Sequence, residues 1–195
     1  MKILIATKNE GKIREMNDLF SDLKIEFIGL DSLEDVSEVE EDGHTFHENA
    51  MKKAMTFFNF SSLPTLAEDS GLEVDYLGGS PGIYSARYAG ENATDEENIK
   101  KLLEELKNVP EKERTAKFVS VLCLIFDGKP HFFEGEVKGV ILDQPRGESG
   151  FGYDPLFVPE GYTETFAELG PSVKNKISHR AMSIKKLKEF LKEKL

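Results

Sequence analysis

The stretch TAKFVSVLCLIFDGKPHFFEGEVKGVIL, residues 115–142, holds two runs rich in Val, Phe and Ile, Thr115 to Phe126 and Pro130 to Leu142, joined through Asp127-Gly128-Lys129. An Asp-Gly pair between apolar runs marks a tight reversal, because the favoured hairpin turns need residues that tolerate a positive φ. The stretch therefore predicts a long antiparallel hairpin. Toward the N-terminus the pattern changes. Lys2 to Thr7 reads as a short buried strand, and Ile13, Met16, Phe20 and Leu23 then recur on one helical face. Ile25 to Leu30 reads as a second strand. Strand-helix units beside a long hairpin predict an α/β fold with a mixed, strongly twisted central sheet and flanking helices.

Leu33 to Gly43 is an acidic connection containing Glu38, Glu40, Glu41 and Asp42. Thr45-Phe46-His47-Glu48 has the spacing of a capping box, in which threonine accepts from the third residue's amide and glutamate answers back. A helix should start there and run to about Phe60. Thr94-Asp95-Glu96-Glu97 repeats the signature before Ile99, Leu102, Leu103 and Leu106, and this helix should stop near Pro110. Thr65 to Ala67 and Leu72 to Leu77 read as strand segments flanking the polar tetrad Glu68-Asp69-Ser70-Gly71, with a loop forced at Gly78 to Gly82. A final helix carries Ile177, Ala181, Ile184, Leu187 and Leu191 on one stripe. There is no internal repeat and no low-complexity linker, so residues 1–195 are expected to form a single domain, or two tightly joined lobes.

The formal net charge of −11 argues against a duplex nucleic-acid partner, since such proteins neutralise phosphates with Lys and Arg. Any phosphate site must be local, built from clustered cations or from a metal held by carboxylates. The apolar stretch Ile3 to Ala6 turns polar at Thr7, too soon for a signal peptide or a membrane span, and no membrane partner is expected. The single cysteine, Cys123, lies inside an apolar run and reads as a small buried hydrophobe. It fits a reducing cytoplasm.

Four segments can carry chemistry. Thr7-Lys8-Asn9-Glu10-Gly11-Lys12 lies between a strand and a helix start, where backbone amides and the helix dipole face an anion; a capped helix start with an exposed lysine has the same composition. Glu68-Asp69-Ser70-Gly71 places carboxylates at a strand end, where Asp69 can hold magnesium or activate water and Ser70 can donate to a phosphate; a plain turn uses the same residues. Glu40 and Glu41 can complete a hard-oxygen magnesium site. In Gly150-Phe151-Gly152-Tyr153-Asp154-Pro155 an aromatic held on a glycine loop suits stacking against a flat base, though a turn with a hydrophobic plug reads alike. Lys174 with Ser178-His179-Arg180 offers donors on successive turns. Nucleophile triads, paired-cysteine zinc sites and dinucleotide fingerprints have no counterpart here, which leaves metal-assisted hydrolysis as the favoured chemistry.

These segments, in this order and over essentially the whole chain, resemble the inosine triphosphate pyrophosphatase family of house-cleaning enzymes. The resemblance rests on Thr7 to Glu15, Glu48-Asn49-Ala50 with Lys53-Ala54, Ala67 to Leu72, Pro81 to Tyr88, Gly150 to Pro155, and Lys176 to Arg180. It implies two interlaced lobes enclosing an active-site cleft, a homodimer, and magnesium-dependent cleavage of deaminated purine triphosphates such as those of inosine and xanthosine between the α and β phosphorus atoms. By position it implies phosphate contacts from Thr7, Asn9, Lys12 and Lys53, with Lys8, Glu10, Gly11 and Ser70 also among the substrate-binding residues. Asp69 would be the central carboxylate, sharing the metal with Glu41 or Glu40. Phe151, Tyr153, Asp154, Lys174, Ser178, His179 and Arg180 would build the base pocket, with Gly152 also substrate-binding. A related enzyme for pyrimidine or modified nucleotides, and a nucleotide sensor that does not hydrolyse, are the alternatives; pyrophosphate release separates the second.

Overall fold

The structure is a computed structural model that describes residues 1–33, 36–37 and 39–195. Glu38, counted above in the acidic connection, lies outside the described residues. Six strands form one sheet in the order β2-β1-β3-β4-β5-β6, with β1 at Lys2–Ile5, β2 at Glu26–Ile28, β3 at Thr65–Val74, β4 at Thr115–Phe126, β5 at Lys129–Ile141 and β6 at Phe157–Pro159. The sheet is mixed: β1 runs parallel to β2 and to β3, while β5 and β6 are antiparallel. The helices are α1 (Glu10–Leu19), α2 (Phe46–Ser61), α3 (Asp95–Glu105), α4 (Phe166–Leu169), α5 (Pro171–Ile177) and α6 (His179–Lys194). Among the described residues no helix is long and apolar enough to cross a membrane.

The chain divides into two compact units. The first comprises Met1–Asp69, Val121–Phe133 and Ile184–Leu195; the second comprises Ser70–Ser120 and Glu134–Ser183. In the first unit, strand alternation sorts the core into two layers. Ile3 and Ile5 pack with Met16 of α1 and its C-cap Phe20, Leu122 and Leu124 of β4, and Ile184, Leu187 and Leu191 of α6. Leu4, pointing the other way, packs with Leu30 and with Phe57 of α2. In the second unit, Leu72 and Val74 of β3 meet Leu102 of α3 and its C-cap Leu106, Phe118 of β4, Phe157 of β6 and Phe166 of α4.

The local signals set the boundaries. β4 and β5 are joined by Asp127 and Gly128 at φ 51° and 73°, the reversal that the Asp-Gly pair requires. Thr94 and Glu97 close a full capping box on α3. At α2 the box is shifted: Thr45 accepts from the Glu48 amide at 3.1 Å, but Glu48 reaches the His44 amide, 2.6 Å away, instead of that of Thr45.

Two expectations need correction. The tetrad Glu68-Asp69-Ser70-Gly71 does not separate two strand segments, because β3 runs unbroken through it. The polar positions are held from outside the strand: Asn49 donates to Asp69 at 3.0 Å, and the Leu72 amide donates to the Ser85 hydroxyl at 2.8 Å. The last apolar stripe is not one helix. Ser178 is extended, at ψ 161°, and its hydroxyl accepts from the Ala181 amide at 3.2 Å, so it ends α5 and caps α6.

Cys123 is fully buried, and burial pushes its thiol up to about 12. Below that pH the folded thiol is neutral and unreactive, whereas an unfolded one ionises near 9. Stability should therefore decline as the pH rises through 9 toward 12. At pH 8 a disulfide reagent should label Cys123 only on unfolding in urea; labelling of the native protein at the rate of a free thiol would contradict this packing.

Candidate active site

In the first unit, three elements deliver one cluster. β3 supplies Glu68 and Asp69, α2 supplies Asn49 and Lys53, and the first turn of α1 supplies Lys12. Asn49 and Lys53 are four residues apart on a helix and so face the same way. Asp69 is 8% exposed and accepts from Asn49 Nδ2 at 3.0 Å. The Asn49 side chain, 1% exposed, also accepts the Gly43 amide at 2.8 Å, which ties the acidic connection to the same point. Lys53 donates to the Glu68 carbonyl at 3.0 Å and is ion-paired with Glu41. Lys12 lies 3.9 Å from the Glu68 carboxylate.

The β1-α1 connection is built as its sequence predicts. Asn9 caps α1 by accepting the Lys12 amide at 3.2 Å, and the Asn9 amide donates to the Thr7 hydroxyl at 3.1 Å. Lys8, Glu10 and Gly11 are exposed around this helix start. The positive end of a ten-residue helix therefore opens beside the Lys12 ammonium, a combination suited to phosphate.

Glu40 and Glu41 part company. Glu40 is exposed, while Glu41 is half-buried against Lys53. Among the described residues there is no group of three or more His, Cys, Asp or Glu side chains that could hold a metal. Magnesium needs no such cage, since it is commonly held by one or two carboxylates, completed by phosphate oxygens and water. Glu41 and Asp69 fit that donor chemistry. The ammonium of Lys53, already set against Glu41 and the Glu68 carbonyl, shows oxygen atoms gathered around a cation at this spot.

The second unit holds the aromatic loop. Phe151 is 61% exposed, and the Lys174 ammonium sits 4.2 Å from its ring centre. Asp154, 1% exposed, accepts from Lys174 at 2.5 Å and from the Phe151 amide at 3.1 Å, so it fixes both the loop and the cation. The Gly152 amide donates to Asp95 at 2.7 Å. Tyr153 turns inward: its hydroxyl donates to the Ser85 carbonyl at 2.8 Å, and burial raises its phenol pKa. Ser178 and His179 are buried, with the His179 ring stacked on Phe118 at 4.9 Å, and Arg180 follows in the first turn of α6, half-buried. Ser70, half-buried on β3, belongs to this unit by chain position.

Two residues escaped the sequence reading. Asn49 and Ser85 both stood within quoted motifs but received no role; Ser85 bridges the Leu72 amide and the Gly82 carbonyl. The four-residue spacing of Asn49 and Lys53 was the one clue available.

A sequence model of the Ham1 family matches residues 3–190. The chain is 51% identical over 191 residues to a dITP/XTP pyrophosphatase of Geobacter sulfurreducens, covering 97% of this chain and 96% of the relative. It is 51% identical over 190 residues to one of Vibrio parahaemolyticus, covering 95% and 94%. Among solved structures, the Ham1 protein of Staphylococcus aureus matches with a TM-score of 0.93 at 43% identity over all of both chains. A HAM1 protein from Coxiella burnetii matches with 0.94 at 42% identity over 99% of each.

Removing one partner of a buried ion pair strands the other charge. Lys174→Ala should therefore cost about 3 kcal/mol of stability in urea unfolding. Adding Asp154→Asn should restore part of the loss; an unchanged unfolding midpoint in the single variant would mean that the pair does not hold the loop.

Proposed function

The chain belongs to the Ham1 family, and we propose that the cluster around Asp69 is the reaction centre of its hydrolysis. The enzyme is a nucleoside-triphosphate pyrophosphatase acting on deaminated purine nucleoside triphosphates, those of inosine and xanthosine and the deoxy form of the former, to give the monophosphate and pyrophosphate. The observation that carries the assignment of the centre is the buried Asp69 carboxylate, oriented by Asn49 within a set of lysines and further carboxylates.

Lys12 and Lys53 hold the triphosphate as point charges, assisted by Thr7, Asn9 and the amides at the start of α1. Asp69 accepts the proton of the attacking water, and Ser70 donates to a phosphate oxygen. Magnesium, held by Asp69 and Glu41, would supply charge neutralisation of the phosphates and orientation of the water. Glu40, being exposed, is the weaker ligand candidate. The homodimer rests on the family resemblance, and the cytoplasmic setting on an apolar N-terminal stretch too short for a signal peptide and on a buried single cysteine that suits a reducing compartment.

The base is assigned to the second unit's residues. Phe151 presents an exposed ring for stacking, already backed by a cation. An ammonium carries three donors, and Lys174 spends one on Asp154. Lys174 or Arg180 then donates to the carbonyl at ring position six, which adenine replaces with an amino group. A site committed to such a hydrogen bond discriminates by about 10⁴–10⁵, against roughly 10–200 for shape in an apolar pocket. Guanine keeps that carbonyl, so its two-amino group must be crowded or left unpaired near Ser178 and His179.

Asp69→Asn should keep the fold and lower kcat by about 10²–10⁴, the usual contribution of a general base. Pyrophosphate release within threefold of wild type at saturating magnesium would remove Asp69 from the centre. For the base, kcat/KM measured with inosine, xanthosine, guanosine and adenosine triphosphates should show Arg180→Ala losing its preference against adenosine. Uniformly lower rates with the preference intact would move Arg180 to the phosphates.

A further inference from the structure

Asn49 is a neutral side chain, buried to 1% exposure, with both ends of its carboxamide committed. Nδ2 donates to Asp69 Oδ2 at 3.0 Å, and Oδ1 accepts from the Gly43 amide at 2.8 Å. These two bonds join strand β3 to the segment that carries Glu41, through one rigid planar group on α2. The helix start behind it is itself pinned, since Thr45 caps it and Glu48 holds the His44 amide next to Gly43. The approach of the segment is close. A Cβ added at Gly43 would stand 2.6 Å from Asn49 Oδ1 and 2.9 Å from Glu48 Cβ, so this backbone comes near only because position 43 has no side chain.

We infer that Asn49 is the positioning residue of the reaction: its carboxamide sets the spacing and orientation of Asp69 relative to the Glu41 segment, and through them the geometry of the divalent cation. The inference rests on the reading of Asp69 and Glu41 as metal ligands. Asn49 acts through these two bonds, to Asp69 and to the Gly43 amide, and is assigned no contact of its own with phosphate or metal. Outer hydrogen-bond partners of metal ligands commonly change metal affinity by about 10–100-fold when removed, because a ligand free to rotate must be ordered by the metal itself. Nucleotide contacts made by Lys12, Phe151 and Lys174 do not pass through Asn49, so the loss should fall on turnover and metal affinity and spare KM.

The test follows Mn²⁺ by electron paramagnetic resonance in the presence of the non-hydrolysable α,β-methylene analogue of inosine triphosphate, alongside kcat and KM for inosine triphosphate with magnesium. Asn49→Ala should weaken Mn²⁺ binding about tenfold or more and lower kcat at least as much, with KM within threefold of wild type. Gly43→Ala keeps the carboxamide and pushes the segment away from it; it should weaken Mn²⁺ binding at least threefold and decides the matter should Asn49→Ala unfold. Wild-type Mn²⁺ affinity and turnover in whichever of these variants folds would overturn the inference. Asp69→Asn serves as the reference: if it too binds Mn²⁺ and turns over like wild type, the reading of Asp69 fails, and that failure is distinct from one confined to Asn49 and Gly43.

Discussion

A carboxylate inside a β-strand can be buried only if something outside the sheet ladder holds it, because an unsatisfied buried charge costs more than a domain can easily offset. The hydrogen bond from Asn49 to Asp69 meets that requirement, and much of the first unit is arranged around it. It needs α2 to start at a fixed residue, which the Thr45 cap provides. It also needs β3 to be fixed in place, which follows from β3 pairing with β1 through Leu4 and Ile5, themselves packed on both faces of the sheet.

The second unit solves the same problem with the opposite chemistry. Asp154 is held by an ammonium, Asp69 by a neutral amide. An ammonium cancels the charge of the carboxylate it binds, and Asp154 thereby becomes scaffold for Phe151 and Lys174. An amide orients the carboxylate it binds without bringing a charge of its own.

What the sequence made legible was what local chemistry decides. The Asp-Gly reversal, the threonine caps of α2 and α3 and the short apolar run of β1 each depend on neighbours within a few residues. β3 was misread because its continuity depends on Asn49 and Ser85, which lie 20 and 13 residues from the groups they hold. The break at Ser178 was hidden by a stripe whose spacing continues across it. β6 and α4, three and four residues long, are too short for periodicity to register. Candidate ligand-facing residues were assigned through the order of their motifs. The residue that orients one of them was not, since a buried asparagine carries no signature of its own.

The first unit is assembled from three separated pieces of chain, and Ile184, Leu187 and Leu191 complete a core begun by Ile3 and Ile5. On the ribosome, the N-terminal strands emerge long before the helix that covers one of their faces. Until Ile184–Leu195 has been made, Ile3, Ile5 and Phe20 lack their final cover, and this core cannot close piece by piece as translation proceeds. Nearly the whole length must be present before the first unit is buried, so a stalled or truncated chain would expose an apolar sheet surface of the kind that chaperones and proteases recognise.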